Sequence, residues 1–340
     1  MNTRKNVLVI YNELGPCPIV GVISPLQYLS DSGLLNLSHK ALIHVTDIDL
    51  VLSDIIIIVR GFEEKNVYIS HKCKSLHKYV IYYLDDDLLN VPSYSLSYGV
   101  FSHPFCRQQI IEIMNNCNCL WTVNSLIESK YKHLFKKSIL IDSVAPILDK
   151  PPCNNYNAYN EKIVIGFSGG LDHKFFLETF FAKVVYKLID IYKEKIEFQI
   201  FGCNAYLPKT NQVVYVPYDP NFSIYMDKML SFNWTLAVAP LEYTKFNECK
   251  YINKFIEYSS IKTPGVYSNV PPYNSVVVNK FTGLLADNTI NAWVESIVNS
   301  INNPSLRYNI SNNSYNYIKA HHNKKRITNL LMKKLPELTS

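Results

Sequence analysis

Short apolar runs recur along the chain, separated by stretches whose apolar residues fall at helical spacing. Asn6 to Tyr11, Ala41 to Val45, Ile55 to Arg60, Val80 to Leu84, Cys119 to Val123 and Ser138 to Ile141 are rich in β-branched and aromatic side chains, the composition of buried strands. Between them, Pro25 to Ser32, Val67 to Lys78 and Pro104 to Met114 set apolar residues three and four apart, as a helix with one buried face requires. Strand alternating with helix at this rhythm predicts a parallel sheet covered on both faces, because each parallel pair needs a crossover that a helix fills.

The rhythm breaks at Asp149 to Asn160, DKPPCNNYNAYN, where two prolines and four asparagines have the composition of a linker. A second series then begins at Lys162 (KIVIGFSGG) and continues through an amphipathic helix from Lys174 to Tyr192. Strands are expected at Phe198 to Phe201, Val213 to Val216, Thr235 to Ala239 and Gly265 to Ser268. The fold class read from this pattern is α/β, with one Rossmann-like domain over residues 1–150, a linker at 151–161 and a second Rossmann-like domain over 162–303. Residues 304–340 are helical after a break at Asn302-Asn303-Pro304.

A chain of 340 residues exceeds the size at which one core keeps growing, which agrees with two domains. Hydrophobic residues at 48% and charged residues at 18% describe an ordered globular chain. The net charge of +6, from 34 Lys and Arg against 28 Asp and Glu, suits an anionic ligand without implying nucleic acid. Basic residues gather at His321, His322, Lys324, Lys325, Arg326, Lys333 and Lys334. A solvated helix face is the plainer reading of that cluster, and a peripheral contact with a membrane surface the sharper one. Eight cysteines show no CxxC or Cys/His ligand spacing, so reduced thiols in a cytoplasmic protein are expected. The N-terminus runs directly into a strand and no apolar run nears the ~20 residues of a membrane span, so the expected location is cytoplasmic, at most peripheral at the inner face of the membrane.

The densest chemistry lies in Ala237 to Asp287, where a strand, a helix carrying Lys250, Lys254 and Glu257, and a second strand form one αβ step. Ligands of such sheets sit beyond the carboxyl ends of the strands, where basic side chains and helix N-termini favour a phosphate. The ordered fragments APL, FN, K, KFIEY, PGVYSNV and TGLLAD resemble the donor-binding domain of retaining GT-B glycosyltransferases of the group 1, family 4-like type. The resemblance implies two Rossmann-like domains facing a cleft, with a C-terminal helix crossing back to the first. It also implies a nucleoside-diphosphate sugar as donor, an acceptor hydroxyl on a glycan, lipid-linked or protein partner, and no metal or other cofactor.

On that resemblance Glu257 holds the donor ribose, Lys250 meets the diphosphate as catalytic cation, and Lys254 shares the role or flanks Glu257. The loop Gly166 to Lys174 lies between strand and helix, where glycines allow close backbone approach to a ligand oxygen. Ser168, Gly169, Gly170, His173 and Lys174 inherit the diphosphate-facing role, Lys174 from a place where the helix has already begun. Pro217 and Tyr218 resemble the loop bordering the nucleobase. Many members carry two glutamates at a fixed spacing, and here Cys249 stands where the first would be, with Glu242 and Glu248 out of register.

In the first domain Asp85, Asp86 and Asp87 follow an apolar strand, and three adjacent carboxylates repel unless something binds or bonds them. A helix cap together with a cleft contact to the acceptor is the expected use, with Asp85 and Asp86 as the catalytic candidates. Gly15, in the loop after the first strand, is expected to let backbone approach the donor or the acceptor and is counted with the donor-binding set, and His103 to lie in a loop on the acceptor side. Structural counterparts stay open for each: a solvated helix carboxylate for Glu257, an ordinary turn for the glycine loop and a surface aromatic for Tyr218. A sugar-nucleotide epimerase and a catalytically silent partner subunit are the rival functions.

Overall fold

The computed structural model describes residues 4–147, 162–208 and 210–339; the linker expected at 151–161 lies outside the described residues. Two six-stranded sheets, every pairing parallel, form the frame. The first comprises β1 (Lys5–Tyr11), β2 (Leu35–Ala41), β3 (Ile55–Val59), β4 (Tyr79–Leu84), β5 (Cys119–Thr122) and β6 (Lys137–Leu140), in the order β2-β1-β3-β4-β5-β6. The second comprises β7 (Ile163–Ser168), β8 (Ile196–Phe201), β9 (Val213–Val216), β10 (Leu236–Ala239), β11 (Gly265–Ser268) and β12 (Leu284–Ala286), in the order β12-β11-β10-β7-β8-β9. β3, IIIIV, is buried along its whole length, as a central parallel strand covered by helices on both faces must be.

The strand expected at Ala41 to Val45 is corrected to Leu35–Ala41, in register from Lys5↔Leu35 to Tyr11↔Ala41, while Leu42–His44 forms a 3-10 turn. β2 is an edge strand with one neighbour, so its sequence LNLSHKA needs no continuous apolar run and half of it faces solvent. β12, only three residues long, was likewise not anticipated as a strand. The helix expected from Lys174 to Tyr192 is a succession of Lys174–Phe176, a π-helical Leu177–Phe181 and Ala182–Tyr192.

The C-terminal return is made by one helix. Pro304–His321 stays on the second half, with Ile310 and Ile318 in its cores. Lys324–Lys334 crosses over and sinks Ile327 and Leu331, followed by Leu335 and Leu338, among Val22, Leu26 and Leu29 of the first half. Lys137 and Tyr79 bond Glu337 from the sheet side, and buried His322 lies 3.2 Å from the Ser143 carbonyl at the crossing. The apolar face of this basic helix is therefore spent on the first half. Among the described residues no helix is long and apolar enough to cross a membrane.

Candidate active site

Both strand orders reverse direction once, between β1 and β3 and between β7 and β10, and loops leaving the carboxyl ends at such a reversal diverge to open a crevice. The two crevices face each other. From the second sheet come the Gly169-Gly170 turn after β7 and the segment after β10 that leads to the helix Asn253–Ser260; from the first come Pro16 after β1, Arg60 after β3 and Asp85 and Asp86 after β4. Together they line a cavity of about 190 Å³ with His173, Tyr218, Tyr225, Lys250, Lys254, Glu257 and Tyr273.

The glycine turn is shaped by close packing. A Cβ on Gly169 would lie 2.7 Å from Lys254 Nζ and 2.9 Å from the Phe167 ring, and one on Gly202, at φ +87°, would lie 2.9 Å from the Gly169 carbonyl. The Gly169 N–H donates to the Phe201 carbonyl at 2.9 Å, which fixes the turn against β8. Lys254, buried, holds its ammonium 5.2 Å over the Phe167 ring beneath this turn. Burial, opposed by nearby Glu257 and assisted by Lys250, lowers the Lys254 ammonium below its usual range. Burial, then Lys254 and Lys250, hold the His173 imidazole well below its ordinary value. A cation-rich, desolvated floor of this kind gains most from an anion laid upon it.

Glu257 lies one helical turn beyond Lys254, buried, with its Oε2 accepting a 3.0 Å hydrogen bond from the Tyr225 hydroxyl. Burial raises this carboxyl despite the opposing pull of Lys254 and Tyr225. Beyond it a narrow recess bounded by Pro16, Phe222, Asn253 and Ile256 leads to an apolar groove of about 450 Å³ between Leu14, Ile19, Pro146 and Ile147 on one side and Pro220, Phe222 and Met226 on the other.

The acid triplet divides into three environments. Arg60, held at φ 48° in the left-handed region, donates from Nε to Asp85 at 2.5 Å and from Nη2 to Asp86 at 2.7 Å. Asp85 is nearly enclosed, whereas Asp86 reaches the cavity with Lys250 Nζ 3.9 Å away. Asp87 is fully buried and bonded by Lys130, Tyr131 and Asn90. Repulsion within the triplet is thus answered by a guanidinium and an ammonium of the chain itself. The cap expected of one aspartate is not the arrangement found.

Cys249 reaches across from the second half into this cluster, its sulfur 3.3 Å from Lys130 Nζ and 3.8 Å from Asp87 Oδ2. Asn124 completes the clamp: its Oδ1 caps the helix Ser125–Tyr131 while its Nδ2 donates to the carbonyls of Glu248 and Lys250, both at 3.2 Å. Lys250 is corrected from a helix start to an extended residue between the 3-10 turn Asn247–Cys249 and the helix Asn253–Ser260. That placement aims its side chain across the cleft, between Asp86 and Asp172.

The residues anticipated from sequence separate cleanly. Gly169, Gly170, His173, Tyr218, Lys250, Lys254, Glu257, Asp85 and Asp86 line one cavity. Gly15 and Pro217 do not line it, and Ser168 lies fully buried behind it, bonded to the Tyr258 hydroxyl. Lys174 points away, paired with Glu178 and lying 4.7 Å over the Tyr206 ring. His103 caps the helix Pro104–Asn116, accepting from the Phe105 N–H, and Glu242 and Glu248 are outside the lining. Arg60 and Tyr225 were missed. The signal for Arg60 was a cation ending an otherwise apolar strand just before a glycine; Tyr225, one of 25 tyrosines, carried none.

No protein-family profile matches the sequence, and no curated protein is similar to it by sequence. Solved structures are similar in fold. HepE of Anabaena, in complex with UDP and glucose, superposes with a TM-score of 0.70 at 10% identity over 98% of this chain and 100% of that one. Sucrose-phosphate synthase from Thermosynechococcus elongatus gives 0.67 at 13% identity, covering 98% and 99%, and the apo lipopolysaccharide outer core galactosyltransferase WaaB gives 0.55 at 12%, covering 97% and 100%. The architecture is thus that of GT-B glycosyltransferases: two Rossmann-like units of parallel sheet facing a cleft.

Proposed function

We propose that the protein is a glycosyltransferase that moves a sugar from a nucleoside diphosphate to an acceptor hydroxyl with retention of configuration. The observation that carries this reading is the convergence of Lys250, Lys254, His173 and the Gly169-Gly170 turn on one cavity, with a buried carboxylate, Glu257, at its far side. The diphosphate lies on the cationic floor, the ribose hydroxyls donate to Glu257, and the base extends toward Tyr218. As the anomeric C–O bond breaks, its electron pair passes to the diphosphate, and Lys250 and Lys254 stabilise the charge that develops there. Retention requires the acceptor hydroxyl to approach on the face the diphosphate leaves, so the acceptor proton passes to the departing phosphate oxygen. Asp86, at the cavity edge of the first half and fixed by Arg60, orients that hydroxyl.

HepE was solved with UDP and glucose, which makes UDP-glucose the first donor to test. Purified protein is incubated with UDP-glucose and then other nucleotide sugars, with and without extracts of glycolipid, glycan and protein acceptors, and nucleoside diphosphate release and product mass are followed. Acceptor-dependent release that falls at least tenfold in Lys250→Ala supports transfer. An altered sugar nucleotide formed without acceptor would instead identify an epimerase.

One observation favours a second reading. Cys249 occupies the position of the first glutamate of the resembling transferases and is engaged by Lys130 and Asp87. A subunit that binds nucleotide sugar without turnover would have this character, and nucleotide binding with no product from any acceptor would select it.

A further inference from the structure

The two lysines of the cavity are held in different ways. Lys254 depends on its own half: it stands on the helix Asn253–Ser260, 5.2 Å over the Phe167 ring and beside Gly169. Lys250 belongs to the same half by sequence, yet the residues around it are fixed by the other. Glu248, Cys249, Lys250 and Tyr251 meet the first half one after another. The carbonyls of Glu248 and Lys250 accept from Asn124 Nδ2, both at 3.2 Å, and the Cys249 sulfur lies 3.3 Å from Lys130 Nζ. The Tyr251 hydroxyl accepts from the Ser143 N–H at 3.0 Å and donates to Asp142 Oδ1 at 3.1 Å.

Asn124 can grip two carbonyls because both ends of its amide are committed. Its Oδ1 accepts from the Leu126 N–H at 2.8 Å and the Ile127 N–H at 3.4 Å, which caps the helix Ser125–Tyr131 that carries Lys130. With donors facing the oxygen and carbonyls facing the nitrogen, the partners themselves fix the orientation of the amide. Its own N–H donates to Thr122 Oγ1 at 3.3 Å, which ties it to the end of β5. Lys250, extended at φ −66° and ψ 153°, thus has its main chain held from the first half and its ammonium placed between Asp86 of that half and Asp172 of its own.

We propose that Asn124 is a positioning residue that presents Lys250 to the departing diphosphate while the two halves are docked, so that donor binding and leaving-group stabilisation are set by different halves. This rests on the transferase reading. The glycine turn, Lys254 and Glu257 are held from within the second half, by Phe201, Phe167 and Tyr225, and take up the nucleotide sugar there. Lys250 is added where the halves meet, on the side of Asp86 and the acceptor. Charge on the leaving diphosphate is then stabilised fully only with the acceptor half in place. Gating of this kind discourages loss of the sugar to water before the acceptor is positioned.

Two substitutions separate the clamp from the cap. Asp and Ser both cap helices well, so Asn124→Asp and Asn124→Ser keep the helix start. Ser removes the donation from Nδ2, and Asp turns a carboxylate oxygen on the two carbonyls. The full chain is assayed with UDP-glucose, or with the nucleotide sugar the wild type turns over, for donor affinity by calorimetric titration and for kcat. Asn124→Asp should lower kcat roughly tenfold, the size expected for two lost neutral hydrogen bonds, with donor affinity kept within about twofold. Asn124→Ser should lie between it and the wild type. The loss should nearly vanish in a Lys250→Ala background, where nothing is left to position. Independently of turnover, N-ethylmaleimide should label Cys249, buried at the docked contact, faster in Asn124→Asp, while buried Cys203 keeps its wild-type rate. Unchanged kcat in Asn124→Asp, a loss of the same factor with Lys250 removed, or a parallel loss of donor affinity and Tm overturns the proposal. So does an unchanged rate of Cys249 labelling. A wild type that turns over no donor removes the transferase reading alone, and the labelling of Cys249 still decides the clamp.

Discussion

The Tyr225 hydroxyl donates to Glu257 Oε2 at 3.0 Å, so one buried carboxylate is oriented from the helix Phe222–Ser231 while it sits on the helix Asn253–Ser260. Its second oxygen is left for the cavity side. Hydrogen bonds to a charged acceptor contribute about 1.5–3 kcal/mol, so Glu257→Gln should weaken donor binding roughly tenfold or more. Tyr225→Phe, which loosens the carboxylate without removing it, should cost less. Isothermal titration with the donor orders the two, and equal affinities in all three proteins would remove Glu257 from the ribose site.

Stability should move the opposite way. Burial raises the Glu257 carboxyl, so ionising it costs more in the folded protein than in the unfolded chain. That cost is absent below the ordinary carboxylate range and fully present once pH exceeds the folded value. Ligand-free Glu257→Gln should therefore melt above the wild type at about pH 7.5, and the gap should close as pH falls toward about 4. A wild type more stable than the variant at neutral pH would contradict this.

His173 should make donor binding depend on pH. Burial, Lys254 and Lys250 keep the imidazole neutral at physiological pH; a diphosphate bound beside them would offset the two cations and draw a proton onto the ring. Affinity for a nucleotide sugar, whose diphosphate has no titrating proton in this range, should rise as pH falls from about 8 to about 6, by at most about tenfold per unit for one proton. His173→Gln should flatten the dependence, and a slope unchanged in that variant would exclude His173 as its source.

Cys249→Glu is not expected to restore a missing acid. The new carboxylate would enter a buried site already holding Asp87 3.8 Å from the present sulfur, with Lys130 shared between the two. A buried charge left uncompensated costs about 3–5 kcal/mol, so the variant should melt well below the wild type without gaining turnover. A stable and more active variant would show that this position opens to the donor.

Much of the fold was legible because central parallel strands are apolar throughout: β3, β4 and β10 stand out as runs. β2 and β12 did not, the first because an edge strand tolerates polar residues and the second because three residues make no pattern. The cationic loop and Glu257 could be found because chemistry and order along the chain coincide there. The division of labour among Asp85, Asp86 and Asp87 could not, since Arg60, Lys130 and Tyr131 approach from other elements and only the sheet order brings them together. Lys250 was found for its charge but misplaced on a helix, because the clamp that holds its backbone extended comes from Asn124, 126 residues earlier.

Nucleotide-sugar binding in one cavity, through Glu257 and the lysines beside it, is what the proposed function stands on. Its most direct test is thermal unfolding of the wild type and Glu257→Gln with UDP-, GDP-, dTDP- and CDP-sugars. A ligand at a hundred times its dissociation constant stabilises by about 2.7 kcal/mol, which is readily seen. Tm should rise with one nucleotide class, by an amount that shrinks or disappears in Glu257→Gln. No shift with any donor, or a shift that Glu257→Gln keeps in full, would contradict it.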